Sequence, residues 1–150
     1  MDISRWLEQN VGARLLMLHD KVYIASDGRI GHTIPGGPSN LILHTVGAKT
    51  GQKRDNTLSY ARDGDDYLVV ASKGGAPTHP AWYLNLSANP DVEIQVEADR
   101  MTARAHTATP EERAELWPIM TKQWPAYDDY QSKTDREIPV VVLEVTPGQT

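Results

Sequence analysis

The stretch that decides the fold is Leu41-Ile42-Leu43-His44-Thr45-Val46, followed at once by Gly47-Ala48-Lys49-Thr50-Gly51-Gln52-Lys53-Arg54. The first six residues form an apolar run of strand length, and an extended pattern returns at Thr57-Leu58-Ser59-Tyr60-Ala61. Two glycines punctuate the segment between these runs, which is typical of a turn. The sequence therefore predicts two strands joined by a glycine-containing hairpin turn.

The same turn carries three cationic side chains, Lys49, Lys53 and Arg54, in a chain whose formal net charge is −5. Glycine lets backbone N–H groups approach a ligand closely, and Lys and Arg donate charge-assisted hydrogen bonds. This chemistry suits a phosphate group. Solvated cations on an ordinary hairpin turn are the other interpretation, and the residue order of a Walker A loop is absent.

The composition limits the classes of protein that need considering. A chain of 150 residues fits one domain with a core of its own. The absence of cysteine excludes disulfides, thiolate metal sites and cysteine nucleophiles, and the five histidines have no metal-ligand spacing, so no metal site is expected. The acidic balance argues against nucleic-acid binding. Because no signal peptide or bilayer-spanning run is present, we expect a cytoplasmic protein.

Hydrophobic periodicity gives the remaining elements. A helical pattern covers residues 3–25, and Thr109, Pro110 and Glu112 mark a capped helix start. Antiparallel hairpins dominate and no βαβ alternation is visible. The prediction is one α+β domain over residues 1–150, built round an antiparallel sheet or small barrel. Its predicted strands cover 41–46, 54–62, 67–72, 92–97, 101–106 and 138–145, and its two further helices cover 80–88 and 109–123.

Two short segments could contact a ligand. Ala71-Ser72-Lys73-Gly74-Gly75 ends an apolar strand with a hydroxyl, a lysine and two glycines, so its N–H groups could form an anion nest; a flexible loop is the alternative. Trp82 and Asn85 lie three residues apart and share a helix face. An indole beside a carboxamide can hold a planar heterocycle, whereas core packing by Trp82 is the simpler interpretation.

An aromatic series near the C-terminus is the third such segment. Trp124, Tyr127 and Tyr130 recur at every third residue, which places them on one side of a helical turn. Such a stripe commonly packs in a core. The neighbouring Asp128 and Asp129 make this segment polar for a core stripe and favour a mobile aromatic lid.

Taken in order, these segments resemble the deazaflavin-dependent nitroreductase family, a split β-barrel group that uses coenzyme F420. The resemblance covers about residues 30–146 and is closest to the branch that reduces quinones and activates bicyclic nitroimidazoles. It implies a split-barrel core over 30–146, and the helical pattern described above places an N-terminal helix before this core, within 1–28. It also implies hydride transfer from reduced F420 to an electron-poor acceptor such as a quinone, an enone or a nitroaromatic.

The resemblance further implies a role for each matching position. Tyr130, Tyr127 and Ser72 are the expected catalytic residues, with Tyr130 foremost as proton donor or substrate-orienting hydroxyl. Acceptor-binding residues are expected at Ser59, Trp124, Tyr127 and Tyr130, where Trp124 and Ser59 replace tyrosines of a close relative. Residues expected to bind the cofactor are Lys49, Thr50, Lys53, Arg54, Asn56, Ser72, Lys73, Gly74, Gly75, Ala81, Trp82 and Asn85.

Two other functions fit the same segments. One is an FMN-dependent reductase on the same barrel, and the other is a non-catalytic carrier of a deazaflavin, a haem or a lipid. The predicted N-terminal helix combines Trp6 with Arg5, Arg14 and Lys21. Such a helix could lie on the inner membrane surface, where quinones dissolve, or pack on its own barrel or a partner subunit. Both a monomer and a homodimer are compatible with the sequence.

Overall fold

The structure is a computed structural model that describes residues 39–146, and every structural statement below concerns this part of the chain. The predicted N-terminal helix lies outside the described residues. Within them the chain forms seven strands, three α-helices and one 3₁₀ turn. In chain order these are β1 (Asn40–Val46), β2 (Lys53–Ser59), β3 (Ala61–Asp63), β4 (Asp66–Val70), the 3₁₀ turn (Lys73–Gly75), α1 (Ala81–Ala88), β5 (Asp91–Val96), β6 (Asp99–Thr107), α2 (Pro110–Gln123), α3 (Ala126–Ser132) and β7 (Val140–Val145).

All seven strands belong to one antiparallel sheet in the order β2-β1-β5-β6-β7-β4-β3. The two edge strands, β2 and β3, are separated in sequence by Tyr60 alone. Consecutive Cα atoms are about 3.8 Å apart, so the sheet must curl until its two edges come close together. This curled antiparallel sheet is consistent with the expected split barrel.

Tyr60 also corrects the predicted single strand over 54–62. Its N–H donates a hydrogen bond to the carbonyl oxygen of Ser39 (3.1 Å), and the chain passes here from one sheet edge to the other. β2 pairs with β1, whereas β3 pairs with β4. A local extended pattern cannot reveal this change of partner, because both halves remain extended.

The strands alternate between two hydrophobic clusters. Val69 of β4 and Leu143 of β7 pack in an inner cluster, which Trp82 and Leu86 of α1 complete. The intervening residues of the same strands, such as Leu68, pack in an outer cluster beneath α2 and α3. Because β4 and β7 are covered on both faces, their sequences read as continuous apolar runs rather than as an alternation.

The helical layer contains one α-helix more than predicted. α2 begins with the predicted capping box, in which the Thr109 hydroxyl accepts the Glu112 N–H (3.2 Å) and the Glu112 carboxylate accepts the Thr109 N–H (3.0 Å). It ends at Gln123, and the next residue, Trp124, has an extended backbone at φ −144° and ψ 92°. Proline disfavours the helical conformation in the residue before it, so Pro125 separates α2 from α3.

Candidate functional site

Two adjoining clefts hold most of the predicted site residues. The smaller, of about 460 Å³, lies between the β1–β2 turn and α1. The larger, of about 900 Å³, lies between β2, the 3₁₀ turn and the aromatic residues that follow α2. Asn56, Ala81 and Trp82 line both clefts, so the two form one continuous depression. Every predicted site residue except Lys53 and Gly75 lines at least one of them.

The β1–β2 turn is the hairpin that the sequence predicts. The Gly47 N–H donates to the Gln52 carbonyl (2.8 Å), and the Gly51 N–H donates to the Gly47 carbonyl (2.9 Å). Gly51 has a φ of +69°, a conformation that side chains with a Cβ rarely adopt. The turn thereby presents the exposed residues Lys49 and Thr50 at the wall of the smaller cleft.

Asn85 links this turn to α1 through side-chain hydrogen bonds. Its side-chain oxygen accepts the Ala48 N–H (3.0 Å), and its side-chain NH₂ donates to the hydroxyl of Thr45 (3.2 Å). Asn85 and Thr45 are both buried, and unpaired buried polar groups would cost about 1–3 kcal/mol each. Asn85 therefore shapes the smaller cleft in addition to lining it.

The smaller cleft has a cationic wall. Lys49 and Arg54 both line it, together with Asp55. The carboxylate of Asp55 is hydrogen-bonded to Nδ1 of His44, which lies on the neighbouring strand. The two cations therefore face the cleft beside a carboxylate that already has a partner, which suits an anionic ligand.

Lys53 and Gly75 are placed differently from the other predicted residues. Lys53 lines neither cleft, although its neighbours Arg54 and Asp55 both line the smaller one. Gly75 is buried at φ +83°, and a Cβ built on it would stand 2.6 Å from the Tyr130 carbonyl oxygen. Gly75 thus permits close packing of the 3₁₀ turn on α3.

The 3₁₀ turn has an unusual backbone at the larger cleft. Ser72 is in the right-handed helical region, and Lys73, Gly74 and Gly75 follow with φ values of +46°, +64° and +83°. A residue in the right-handed helical region followed by one in the left-handed region is a backbone conformation found in anion-binding nests. Lys73 is not a glycine, so its left-handed φ costs roughly 1–2 kcal/mol.

Arg136 supports this turn and was missed in the sequence. Its guanidinium donates hydrogen bonds to three backbone carbonyl oxygens, those of Ala71 (3.2 Å), Ser72 (2.8 Å) and Ala76 (2.8 Å). It also donates to Nδ1 of His79 (3.0 Å). Burial, together with the Arg136 charge, lowers the pKa of His79 below 6.5. Nothing in the local sequence separates Arg136 from the other charged residues around it.

The aromatic residues form the far wall of the larger cleft. Trp124 and Tyr130 are partly buried, whereas Tyr127 is only 6% exposed and belongs to the outer cluster. The rings of Tyr127 and Tyr130 meet edge to face, with centroids 6.1 Å apart. Burial, with a smaller effect of Tyr130, raises the pKa of Tyr127 to about 12. Tyr127 therefore holds its proton tightly.

Trp82 is both a core residue and a cleft-lining residue. The side chain is only 7% exposed and packs in the inner cluster, as core packing requires. It nevertheless lines both clefts at their junction.

Ser59, another predicted residue, lines the larger cleft. Its hydroxyl donates a hydrogen bond to the side-chain oxygen of Asn40 (3.1 Å).

Residues 15–145 match the family model described as F420H(2)-dependent quinone reductase. The chain belongs to this family. Over 146 residues it is 57% identical to an F420H(2)-dependent quinone reductase of Mycobacterium tuberculosis strain H37Rv, across 95% of this chain and 98% of that protein. It is 41% identical over 103 residues to a putative F420H(2)-dependent quinone reductase of the same strain, across 69% of this chain and 87% of the other.

Solved structures agree with the family. An F420-H2-dependent reductase that is 40% identical superposes with a TM-score of 0.65, across 70% of this chain and 93% of that one. A second chain, described as a domain-swapped dimer, is 33% identical with a TM-score of 0.69, across 95% of this chain and all of that one. The predictions of the family, of an oxidoreductase and of reduced F420 as hydride donor are confirmed. No helix among residues 39–146 is long and apolar enough to cross a membrane.

Proposed function

We propose that the two clefts together bind reduced coenzyme F420 and a quinone, and that the protein reduces the quinone with the cofactor's hydride. The observation that carries this proposal is the shared wall of Asn56, Ala81 and Trp82, which joins a cationic cleft to an aromatic one. Coenzyme F420 has the matching polarity, because a phosphate and an acidic tail extend from a planar deazaflavin.

The residues present fit this cofactor. Lys49 and Arg54 would hold the phosphate and the acidic tail through charge-assisted hydrogen bonds. Lys73 and Gly74 line the larger cleft and would contact the cofactor there. Thr50, Asn56 and Ala81 would complete the binding surface. The deazaflavin supplies the hydride chemistry when it is bound.

The chain itself contributes positioning, shielding and a proton. Trp124, Tyr127 and the apolar residues Leu58 and Val70 line the larger cleft and would exclude water from the acceptor. Correct placement of two reactants can lower a barrier by several kcal/mol. We assign the role of proton donor to the hydroxyl of Tyr130, which lines the larger cleft. A positioned general acid contributes roughly 10²–10⁴-fold to the rate. Ser72 would orient the acceptor or the cofactor from the opposite wall.

Enones and nitroaromatics are proposed as further acceptors. They share with quinones a flat, electron-poor group that could stack on an aromatic wall. Ser59 and Trp124 both line the larger cleft, and their sizes would set which acceptors fit. A panel of quinones, enones and nitroaromatics, compared by kcat/KM, tests this extension; reduction of quinones alone would contradict it.

We also propose that the protein is a cytoplasmic homodimer whose N-terminal segment touches the membrane surface. The dimer is supported by the 33% identical chain that is described as a domain-swapped dimer. Trp6 with Arg5, Arg14 and Lys21 supports the membrane contact by composition. Light scattering coupled to size exclusion tests the dimer, and co-sedimentation with anionic vesicles tests the contact. A monomer in the first, or no bound protein in the second, would contradict the respective proposal.

The decisive experiment separates this function from its alternatives. The purified protein is titrated with oxidised F420 and, separately, with FMN, and binding is read from tryptophan fluorescence. Reduced F420 and menadione are then supplied together, and cofactor oxidation is followed. We expect micromolar F420 binding and menadione-dependent oxidation. FMN binding alone would indicate the FMN reductase, and F420 binding without oxidation would indicate a carrier.

A further inference from the structure

We propose that Arg136 is a positioning residue that sets the cofactor-binding shape of the loop formed by residues 71–79. This inference rests on the proposed function, because it concerns how three lining residues of the larger cleft are held. Ser72, Lys73 and Gly74 line that cleft, whereas Arg136 lines neither cleft. Arg136 would therefore act through the loop and not by touching the cofactor.

The contacts of Arg136 account for most of its hydrogen-bonding capacity. Arginine has five N–H donors in a rigid planar fork. Four contacts are made here, to the carbonyl oxygens of Ala71, Ser72 and Ala76 and to Nδ1 of His79, at 2.8–3.2 Å. A lysine has its three donors at a single point and cannot span carbonyls on both sides of the 3₁₀ turn.

The position of these contacts explains why the loop needs them. The bonded carbonyls stand before and after the run of positive φ values over Lys73–Gly75. A left-handed non-glycine residue persists only where its surroundings hold it in place. With its carbonyls held by Arg136, the turn can keep Lys73 at φ +46° and the nest-like backbone at the cleft.

Arg136 is in turn anchored to the helix that carries the acceptor wall. Its own carbonyl oxygen accepts the side-chain NH₂ of Gln131 in α3 (2.8 Å). The side-chain oxygen of Gln131 accepts the N–H of Ile138 (2.8 Å) and a guanidinium hydrogen of Arg113 in α2 (2.9 Å). A continuous hydrogen-bonded path therefore leads from the 3₁₀ turn through Arg136 to α3, which also carries Tyr130.

The test uses two variants. Arg136→Lys keeps the positive charge but removes the planar guanidinium group, and Arg136→Ala removes both. The matched control is Arg104→Lys, because Arg104 makes an exposed ion pair with Asp91 on the sheet (3.0 Å). Amide hydrogen exchange of residues 71–79 is measured without cofactor. The dissociation constant for oxidised F420 is then measured by tryptophan fluorescence.

We expect Arg136→Lys to speed exchange in residues 71–79 by tenfold or more and to weaken F420 binding by roughly 10–100-fold. Exchange in β1, β5 and β6 and the thermal midpoint should stay close to those of the unmodified protein and of Arg104→Lys. Millimolar guanidinium chloride, but not sodium chloride, should restore part of the F420 affinity of Arg136→Ala. The readout that a general structural role would not give is faster exchange confined to residues 71–79 with an unchanged thermal midpoint.

Unchanged exchange and affinity in Arg136→Lys would overturn the inference. So would faster exchange throughout the chain in proportion to a fall in the thermal midpoint, which would assign Arg136 a general stabilising role. If Arg136→Ala does not fold, the inference is tested with Arg136→Lys alone. Failure of the unmodified protein to bind F420 would instead overturn the proposed function, and the exchange measurement without cofactor keeps the two failures distinguishable.

Discussion

The backbone of Gly75 lies directly against the carbonyl oxygen of Tyr130, so closely that a Cβ on Gly75 would stand 2.6 Å from that oxygen. Gly75 ends the 3₁₀ turn that lines one wall of the larger cleft, and Tyr130 lines the opposite aromatic wall. The two walls are thus in contact through backbone atoms at this point. Main-chain packing therefore sets the separation of the two walls at this point.

Gly75→Ala is expected to destabilise the protein by about 3 kcal/mol, because it combines a left-handed φ with a backbone clash. Gly64→Ala is the matched control, since Gly64 also has a positive φ, +61°, but a Cβ there would meet nothing within 4 Å. It should cost only about 1 kcal/mol. Denaturant unfolding of both variants measures this difference. Equal losses would contradict the packing argument.

Tyr130→Phe is expected to lower kcat for quinone reduction by roughly 10²–10⁴-fold while leaving the F420 dissociation constant unchanged, because it removes only the proposed acid. Tyr127→Phe should have a much smaller effect on turnover, since burial raises the pKa of Tyr127 to about 12. Tyr83→Phe is the control, because its hydroxyl pairs with Thr107 (2.9 Å) and Tyr83 lines neither cleft. Equal losses of turnover and F420 affinity in Tyr130→Phe would refute the assignment.

Lys49→Ala is expected to weaken F420 binding by roughly tenfold at low salt, in line with about 1.5 kcal/mol for a hydrogen bond to a charged group. The loss should shrink as salt is added, because salt screens exposed charges. Lys122→Ala is the control, since Lys122 lies in α2 and lines neither cleft. Fluorescence titrations at two salt concentrations measure both effects. A dissociation constant that Lys49→Ala leaves unchanged would contradict the cationic wall.

Stability should fall as the pH is lowered below about 6.5, the ordinary pKa of histidine. Burial and the facing Arg136 guanidinium lower the folded-state pKa of His79. Below 6.5 the unfolded chain then binds more protons than the folded chain, so protonation favours unfolding. Tyr83, whose ring centroid lies 4.8 Å from that of His79, is a second titratable group beside it.

His79→Gln should flatten this decrease. Thermal midpoints of the two proteins between about pH 5 and pH 7.5 give the comparison, and the difference between the proteins removes the effect of other titrating groups. Parallel pH profiles would show that His79 does not carry the dependence.

The sequence predicts elements whose signals are local. The capping box of Thr109 and Glu112 marks the start of α2, and the glycines of the β1–β2 turn mark a hairpin, because both depend on neighbouring residues alone. The break at Tyr60 depends on which strand each half pairs with. That choice is made by the closing of the sheet and leaves no trace in the extended pattern.

The candidate site also contains residues that the sequence reveals and residues that only the fold reveals. Lys49, Lys73 and Trp82 belong to short segments whose residue types indicate ligand binding, and the structure brings those segments together. The support for these segments is non-local. Arg136 bonds residues that lie 57–65 positions earlier in the chain, so only the folded chain reveals its partners.

The most direct test of the central claim is the footprint of oxidised F420 on the amide hydrogen exchange of the protein. The account predicts slower exchange in three segments that line the two clefts, residues 47–56, 72–75 and 81–85. Exchange should not change around Glu93, Arg100 and Thr102, which line a separate depression of about 260 Å³. Protection confined to that second depression, or no protection anywhere, would contradict the claim that the adjoining clefts bind the cofactor.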